Sequence, residues 1–252
     1  MSGVLTEERW SRILEIVNRE QAVTVPALEE ELSVSAATIR RDLTQLHRLG
    51  KLLKVHGGAT SLGQKYVARD QSMEEKYKLN NEEKQRIARY AASLIRPTDF
   101  VYIDAGTTTE LLVDCITELH AVYVTNSIMH GRKLVQKGCQ TFIVGGELKQ
   151  ATEALVGSMA GEMLQRFHFT IGFFGTNGVS AESGFTTPDP GEAMIKRLAV
   201  RQTAKKYVLC DSSKFNVVAP ITFADFKAAD IITGKIPEKQ YEQYDNIMEV
   251  RK

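Results

Sequence analysis

The sequence has few cysteines, no long apolar run and almost no net charge, and each shortage excludes a class of protein. Its three cysteines, Cys115, Cys139 and Cys210, are scattered and odd in number, which indicates neither a disulfide framework nor a zinc site. No apolar stretch approaches the roughly 20 residues of a membrane-spanning helix, and Glu7 and Glu8 stand where a signal peptide would have its apolar core. We therefore expect a cytoplasmic protein with no metal, no cofactor and no membrane partner.

The formal net charge of +1 excludes a uniformly basic protein, so any affinity for nucleic acid must come from a local patch. The composition, 43% hydrophobic and 25% charged, is that of a globular protein. A chain of 252 residues is long enough for a small module and one larger domain with a sizeable core.

Residues 25–60 have the pattern of a winged helix-turn-helix. The predicted elements are a helix at 26–32, a turn at 33–35, a second helix at 36–49 and a two-stranded wing at 51–58. The second helix carries an apolar stripe at three- and four-residue intervals, formed by Ile39, Leu43, Leu46 and Leu49. Pro26 suits the first turn of its helix, Ser35 is placed to cap the second helix, and Gly50 is placed to end it.

A further helix is predicted at 6–19, with Thr6 as its cap. Four apolar residues at helical spacing would face inward and pack behind the second helix of the module, namely Trp10, Ile13, Leu14 and Val17.

Charge is sorted along this N-terminal region. Acids dominate up to residue 31, whereas residues 35–56 contain a single acid, Asp42, and five cations: Arg40, Arg41, Arg48, Lys51 and Lys54. Lysine and arginine contacts to phosphate supply most of the non-specific affinity for DNA, and the start of the second helix is the part that reaches base edges. The candidate DNA-binding residues are Ser35, Ala37, Thr38, Arg40, Arg41, Lys54 and His56. A small helical domain with a solvated basic face is the alternative.

The rest of the chain alternates between short apolar runs and helical stretches. Residues 61–72 lose periodicity and are expected to form a linker, and a long charged helix is predicted at 73–95. Strands are predicted at 100–103, 121–124, 141–144, 169–173, 207–209 and 231–232, and helices at 108–117, 127–137, 155–167 and 190–205. Such alternation predicts an α/β domain with a mostly parallel sheet covered on both faces. The expected domains are 1–60, which binds DNA, and 73–252, which binds an effector and forms oligomers.

Polar residues and glycines follow several of these predicted strands. In a parallel sheet such positions meet at one edge, where helix N-termini favour anions. Gly106, which permits close backbone approach, and the three hydroxyls of Thr107, Thr108 and Thr109 favour a phosphate. The other candidate segments are 125–126, 145–147, 175–178 and 211–214. Gly, Asn and Asp are also ordinary turn residues, and Glu192 and Lys196, four apart on a helix, are equally explained as a surface ion pair.

These segments resemble the DeoR family of bacterial sugar-catabolism regulators. The resemblance covers nearly the whole chain and includes residues 37–43 (ATIRRDL), 55–59 (VHGGA), 104–109 (DAGTTT), 145–146 (GG) and 211–214 (DSSK). It implies a C-terminal domain similar in fold to ribose-5-phosphate isomerase, with the effector bound at the strand-end loops. The implied phosphate site is residues 106–109, and the implied or candidate contacts to the rest of the sugar are Asp104, Thr125, Asn126, Gly145, Gly146, Asn177, Glu192, Lys196 and Lys214.

Within the family, residues 154–157 and 184–196 look most like the fructose-operon repressors. This implies fructose 1-phosphate as the effector, with tagatose 6-phosphate, as in lactose-type members, remaining open. Two departures from the isomerases weigh against catalysis: Asn177 stands where many relatives of the wider fold have Asp, and GFTTPDP at 184–190 replaces a glycine-rich lysine loop.

We therefore expect a homo-oligomeric repressor that binds double-stranded operator DNA and a sugar-phosphate effector. Two alternatives remain: a sugar-phosphate isomerase that carries a DNA module, and a DNA module on a plain oligomerisation scaffold.

Overall fold

The computed structural model describes residues 2–20, 22–49, 51–55, 57–61, 65–67 and 73–250, which divide into two compact units after Lys65. The elements of the first unit are α1 (Ser2–Glu20), β1 (Ala22–Thr24), α2 (Val25–Leu32), α3 (Ala36–Arg48), β2 (Leu52–Val55) and β3 (Gly58–Ser61). A two-residue strand, β4 (Lys65–Tyr66), stands at the division between the units.

The first unit is a winged helix-turn-helix, as predicted. Thr24 caps α2 by accepting a hydrogen bond from the Ala27 amide at 3.3 Å, and Ser33 makes the turn between α2 and α3 in the left-handed region, at φ 53°. The wing is an antiparallel sheet in the order β1-β3-β2. The apolar core of the first unit joins α1, α2, α3 and the wing. It includes Ile13, Val17, Leu28, Ile39, Leu43, Leu46 and Leu52.

Three local predictions in this unit were wrong. Helix α1 begins at Ser2, so Thr6 lies inside the helix and does not cap it. The side chain of Ser35 makes no capping bond to α3; the Glu29 carboxylate instead accepts from the Ala36 amide at 2.8 Å. Helix α3 ends at Arg48, which leaves Leu49 57% exposed and outside the apolar stripe. Gly50 and His56 lie outside the described residues.

The second unit contains a parallel sheet with helices on both faces. Its helices are α4 (Met73–Lys78), α5 (Asn81–Ser93), α6 (Thr107–Cys115), α7 (Ile128–Gln136), α8 (Ser158–Leu164) and α9 (Pro190–Arg201). Its strands are β5 (Phe100–Ile103), β6 (Val122–Thr125), β7 (Gln140–Ile143), β8 (Glu147–Leu148), β9 (Leu155–Val156), β10 (Phe169–Gly175), β11 (Gly178–Ser180), β12 (Gly184–Thr187), β13 (Thr203–Leu209), β14 (Val217–Val218), β15 (Ile221–Ala224), β16 (Asp230–Thr233) and β17 (Ile247–Glu249).

Among the described residues, seven strands form the main sheet in the order β17-β16-β13-β10-β5-β6-β7, and every pairing in it is parallel. One face packs on α5, α6 and α7 through a core that includes Ile87, Leu112 and Phe173. The other face packs on α8 and α9 through a core that includes Ala160, Phe174 and Ala199. The parallel α/β prediction is confirmed, and all these strands point their carboxyl ends to one edge.

The bounds of several helices differ from those that the apolar periodicity predicted. The predicted helix at 73–95 is two helices, because Asn80 adopts the left-handed region at φ 52° and breaks the chain between α4 and α5. The predicted helix at 155–167 begins as strand β9, and the one at 190–205 ends at Arg201. A small antiparallel sheet, β11-β12-β15, follows β10. Within the predicted linker, the Val67 amide donates to the Val218 carbonyl at 2.9 Å.

Candidate DNA-binding face and ligand cleft

The start of α3 presents its polar residues outward. Ser35, Ala37, Arg40 and Arg41 are exposed and Thr38 is half-buried. The hydroxyls of Ser35 and Thr38 lie 3.1 Å apart, so they hold each other at the first turn. The predicted base-contacting residues therefore share one accessible surface.

The single acid on this helix is turned away from that surface. Asp42 is buried and accepts hydrogen bonds from Arg9 Nε at 2.6 Å and from Trp10 Nε1 at 2.8 Å. Its charge is thereby neutralised against α1, and the contact raises the pKa of Arg9. The sequence pattern showed Asp42 as a lone acid but gave no signal for its partner Arg9.

Lys54, on strand β2 of the wing, adds a positive charge to the basic face of α3. Its Nζ donates to Thr44 Oγ1 at 2.7 Å, so the ammonium lies against the middle of α3 instead of extending from the wing. Because Lys54 is exposed, it keeps access to solvent and to a phosphate. His56, predicted to share this side of the wing, lies outside the described residues.

A cleft opens at the carboxyl edge of the parallel sheet, the edge at which ligands of open α/β sheets bind. Seven of the predicted effector residues line it: Gly106, Thr107, Thr108, Asn177, Glu192, Lys196 and Lys214. Thr176 and Asp211, from the candidate segments 175–178 and 211–214, also line it. So do residues without a sequence prediction, among them Lys76, Lys84 and Thr152.

One wall of the cleft is the N-terminus of α6. Gly106 precedes the helix, and Thr107 and Thr108 occupy its first turn, where backbone amides have no partner within the helix. Thr109 is different: its hydroxyl is fully buried and donates to the Gly106 carbonyl at 2.9 Å. Two of the three predicted hydroxyls thus border the cleft, while the third fixes the loop from behind.

The floor is a buried ion pair. Asp104, at the end of β5, accepts from the Gly175 amide at 3.0 Å and from Lys196 Nζ, which comes from α9. Lys196 also donates to the Gly175 carbonyl at 3.2 Å and lies 5.6 Å from the centroid of the Phe223 ring. Burial raises the pKa of Asp104, and the Lys196 ammonium opposes that rise. Asp104 therefore acts on the cleft through Lys196, which borders it.

Glu192 has a second buried network, so the surface ion pair with Lys196 is the wrong explanation. Its Oε1 accepts from Thr152 Oγ1 at 2.7 Å and from Lys149 Nζ at 3.0 Å. Burial alone would raise the pKa of Glu192, but the charge of Lys196 and these donors lower it below its usual value. Lys149 also contacts Asp189, which caps α9. The start of α9 is thus held rigidly beside the cleft.

Cations from α4 and α5, which pack beside α6, also line the cleft. Lys84 is buried, and burial lowers its pKa; its Nζ donates to the Lys76 carbonyl at 2.6 Å. Asp211 Oδ1 accepts hydrogen bonds from Asn80 Nδ2 at 2.7 Å and from the Ser213 amide at 3.1 Å. With Lys196 and Lys214, four lysines line the cleft against the carboxylates of Glu192 and Asp211. The balance of charge favours an anion.

Besides Asp104 and Thr109, four predicted residues do not line the cleft. Thr125 is fully buried and its hydroxyl accepts from the Ser127 amide. The side-chain amide of Asn126 links two segments of backbone: its Oδ1 accepts from the Ala105 amide at 2.9 Å and its Nδ2 donates to the Leu155 carbonyl. Gly145 and Gly146 are exposed beyond β7; a Cβ on Gly146 would meet the Val156 carbonyl oxygen at 2.4 Å, so this glycine serves a close backbone approach.

Behind α6 lies a buried histidine whose titration affects stability. Burial lowers the pKa of His130 to about 4, while Glu110, Asp114 and the Gly106 carbonyl raise it and Lys133 lowers it further. Glu110 is itself paired with Lys133 Nζ at 2.8 Å.

We predict that acidification destabilises the protein through His130. The pKa of His130 in the folded state lies below the ordinary value of 6.5, so the unfolded chain binds a proton that the folded chain does not. The free energy of unfolding should therefore fall by about 2 kcal/mol between pH 7 and pH 5. Urea unfolding of wild type and His130→Gln across this range measures the effect. Equal pH slopes for the two proteins would contradict it.

Both units of the chain match known protein families. Residues 9–65 match the DeoR-like helix-turn-helix domain, and residues 79–235 match the DeoR C terminal sensor domain. The chain belongs to the DeoR family. The family assignment suggested by the motifs is thereby confirmed, and this DeoR-family chain is a transcription regulator with a DNA-binding and a sensor domain.

Relatives of this DeoR-family chain align along nearly its full length. The uncharacterized HTH-type transcriptional regulator FruR of Bacillus subtilis (strain 168) is 38% identical over 242 residues, 96% of each chain. A lactose phosphotransferase system repressor of Streptococcus mutans is 34% identical, covering 93% of this chain and 92% of that one. Among solved structures, ribose 5-phosphate isomerase A of Methanocaldococcus jannaschii has a TM-score of 0.41 and 16% identity over 55% of each chain. No helix in the described ranges is long and apolar enough to cross a membrane.

Proposed function

We propose that this protein is a repressor of a sugar-utilisation operon, that the sugar is fructose, and that a phosphorylated sugar changes the affinity of the protein for the operator. The observation that carries the proposal is the cleft, which combines the N-terminus of α6 with four lysines in a chain that also bears a basic helix-turn-helix. Relatives named as FruR and as lactose phosphotransferase system repressors support a sugar-operon role. Fructose 1-phosphate is the proposed effector, and tagatose 6-phosphate is the second candidate.

In this proposal the first-turn amides and the hydroxyls of Thr107 and Thr108 hold the phosphate. Lys76 on α4, Lys84 on α5 and Lys214 neutralise it, and Asn177, Glu192 and Lys196 contact the sugar hydroxyls. Residues 1–60 bind DNA, residues 61–72 link, and residues 73–252 bind the effector and form a homo-oligomer. Because a ligand shifts an equilibrium only through unequal affinity for its two states, the effector binds the DNA-competent and DNA-incompetent forms unequally.

The cleft is not proposed to be catalytic. Relatives named as regulators and repressors support a non-catalytic role. The carboxylates that could act as a general base are each held through one oxygen: Asp104 by Lys196, Glu192 by Lys149 and Thr152, and Asp211 by Asn80 and Ser213. Pure protein incubated with fructose 1-phosphate or ribose 5-phosphate should give no product by NMR. Turnover would overturn this part of the proposal.

The phosphate assignment makes a direct prediction. Thr107→Val together with Thr108→Val removes two hydroxyl donors while keeping side-chain volume, and should weaken fructose 1-phosphate binding about 10-fold or more, because hydrogen bonds to charged groups contribute about 1.5–3 kcal/mol each. Isothermal titration measures the affinity. Thr117→Val, at an exposed position beyond α6, is the matched control. Unchanged affinity in the double variant would remove the hydroxyls from the site.

Helix α4 is proposed to carry the response toward the linker. It supplies Lys76 to the cleft, follows the predicted linker in the chain, and is tied to the first turn of α6 by the Tyr77 hydroxyl, which donates to Glu110 Oε2. Burial and the Glu110 carboxylate raise the pKa of Tyr77, so the phenol stays protonated as a donor.

Tyr77→Phe should therefore leave effector affinity within about threefold of wild type but reduce effector-driven DNA release, since allosteric coupling energies are typically about 1–3 kcal/mol. Effector titration with and without operator DNA separates the two quantities. Tyr90→Phe, at an exposed tyrosine on α5, is the control. Full release by Tyr77→Phe would exclude this tie from the coupling.

A further inference from the structure

Strand β7 forms one outer edge of the main sheet. It pairs with β6 on one side, and no described strand pairs with its other side. Phe142 and Ile143 on this strand are 42% and 41% exposed. An outer strand with open backbone donors and acceptors is a template for pairing with another strand.

The two edges of the sheet differ in charge. Residues 139–144, CQTFIV, contain no charged residue and no proline, whereas β17 at the other edge contains Glu249 and follows Asp245. Charges and proline are the usual protection of an exposed edge against unwanted pairing. The β17 edge has such protection and the β7 edge lacks it, which indicates that β7 is covered in the assembled protein.

Exposed apolar side chains flank β7 on both faces of the sheet. Ile143 packs toward α7, since a Cβ on Gly131 would lie 2.5 Å from Ile143 Cδ1; Phe142, the next residue along the strand, points to the opposite face. On α7, which packs against β7, two further large apolar side chains are exposed: Ile128 by 42% and Val135 by 60%. Ile128 and Val135 are seven residues apart on α7 and so share one stripe.

We propose that β7 is the two-fold interface of a homodimer, in which it pairs antiparallel with β7 of a second copy. A partner strand satisfies the open backbone groups of β7 while covering its apolar side chains, and β7 of a second copy gives a closed, isologous pairing. A β7–β17 contact would bury Glu249 and would be head-to-tail, which propagates into filaments. The flanking apolar side chains then meet across the axis, as in the apolar centre of a homodimer interface. This inference deepens the homo-oligomer part of the proposed function and does not depend on the effector.

The first test is disulfide trapping in the full-length protein. In an antiparallel pair about a two-fold axis, either one residue of the strand faces its own copy or two adjacent residues face each other across the axis. Facing Cα atoms are about 4.5–5.5 Å apart, within the range that a disulfide spans. Thr141→Cys, Phe142→Cys or an equimolar mixture of the two, which together cover an axis at residue 141, at residue 142 or between them, should give covalent dimers under mild oxidant, above the background of the wild-type cysteines. Leu119→Cys, an exposed position before β6, should not. A dimeric protein that forms no disulfide at 141 or 142 would overturn the proposal.

The second test is the assembly state. Phe142→Glu places a charge at the edge and should raise the dimer dissociation constant at least about 10-fold, equivalent to about 1.4 kcal/mol, as measured by sedimentation equilibrium. Leu119→Glu, with the same chemical change at a similarly exposed residue, should behave as wild type, and thermal unfolding confirms that both variants fold. A monomeric wild type, or an unaltered dimer in Phe142→Glu, would overturn the proposal whether or not the effector binds.

Discussion

Arg41→Ala should weaken operator binding by about 1–3 kcal/mol, roughly 10- to 100-fold, because an arginine that pairs with a base edge contributes on that scale. Arg41 is exposed on α3 close to its start, and the only acid in that helix, Asp42, is turned inward to Arg9 and Trp10. The arginine is therefore free of intramolecular competition from Asp42 and available to DNA.

Fluorescence anisotropy with labelled operator at fixed salt measures this loss. Arg12→Ala removes the same side chain from an exposed position on α1 and should change affinity far less. Effector binding should be equal in wild type, Arg41→Ala and Arg12→Ala. An Arg41→Ala protein that binds operator as tightly as wild type would show that α3 does not enter the major groove in this way.

Lys196→Met should destabilise the sensor domain by about 3–5 kcal/mol, because it leaves the carboxylate of Asp104 buried without a compensating charge. Asp104 and Lys196 are 1% and 4% exposed, and their ion pair joins β5 to α9 beneath the cleft. The same variant should lose effector binding, since Lys196 also lines the cleft. Urea unfolding and calorimetric titration give the two quantities.

Two comparisons separate the loss of the pair from general damage. Asp104→Asn in the Lys196→Met background removes the stranded carboxylate and should recover most of the lost stability without restoring effector binding. Lys205→Met, at an exposed lysine on β13, should be neutral. In Lys196→Met the unpaired Asp104 gains a proton on folding, so its stability should rise relative to wild type as the pH falls. A Lys196→Met protein with wild-type stability would contradict the buried pair.

The sequence predicted most reliably those elements whose local residue pattern directly reflects their place in the folded domain. The apolar run at 100–103 is a strand in the sheet, since a parallel strand covered on both faces is apolar at successive positions. The loop after it borders the cleft because the carboxyl edge of such a sheet is where helix N-termini converge. The helix-turn-helix followed from its spacing and its turn.

The sequence did not reveal contacts made between distant elements. Lys84 belongs to a charged helix and resembles a solvated lysine until α4 folds over it. Thr152 and Lys149 join Glu192 across about 40 residues, with no motif to mark them. Asn126 was predicted to contact the sugar because it follows a strand, but its amide holds Ala105 and Leu155 instead. Which of three adjacent threonines faces the cleft depended on the starting residue of α6.

The most direct test of the account is operator release. Full-length protein bound to a labelled fragment from its own operon is titrated, at fixed salt, with fructose 1-phosphate, tagatose 6-phosphate and free fructose, and anisotropy reports the bound fraction. We expect tight binding to the operator and a change in affinity with one phosphorylated sugar, and no response to free fructose. Tight operator binding that no phosphorylated sugar alters would contradict the cleft as an effector site.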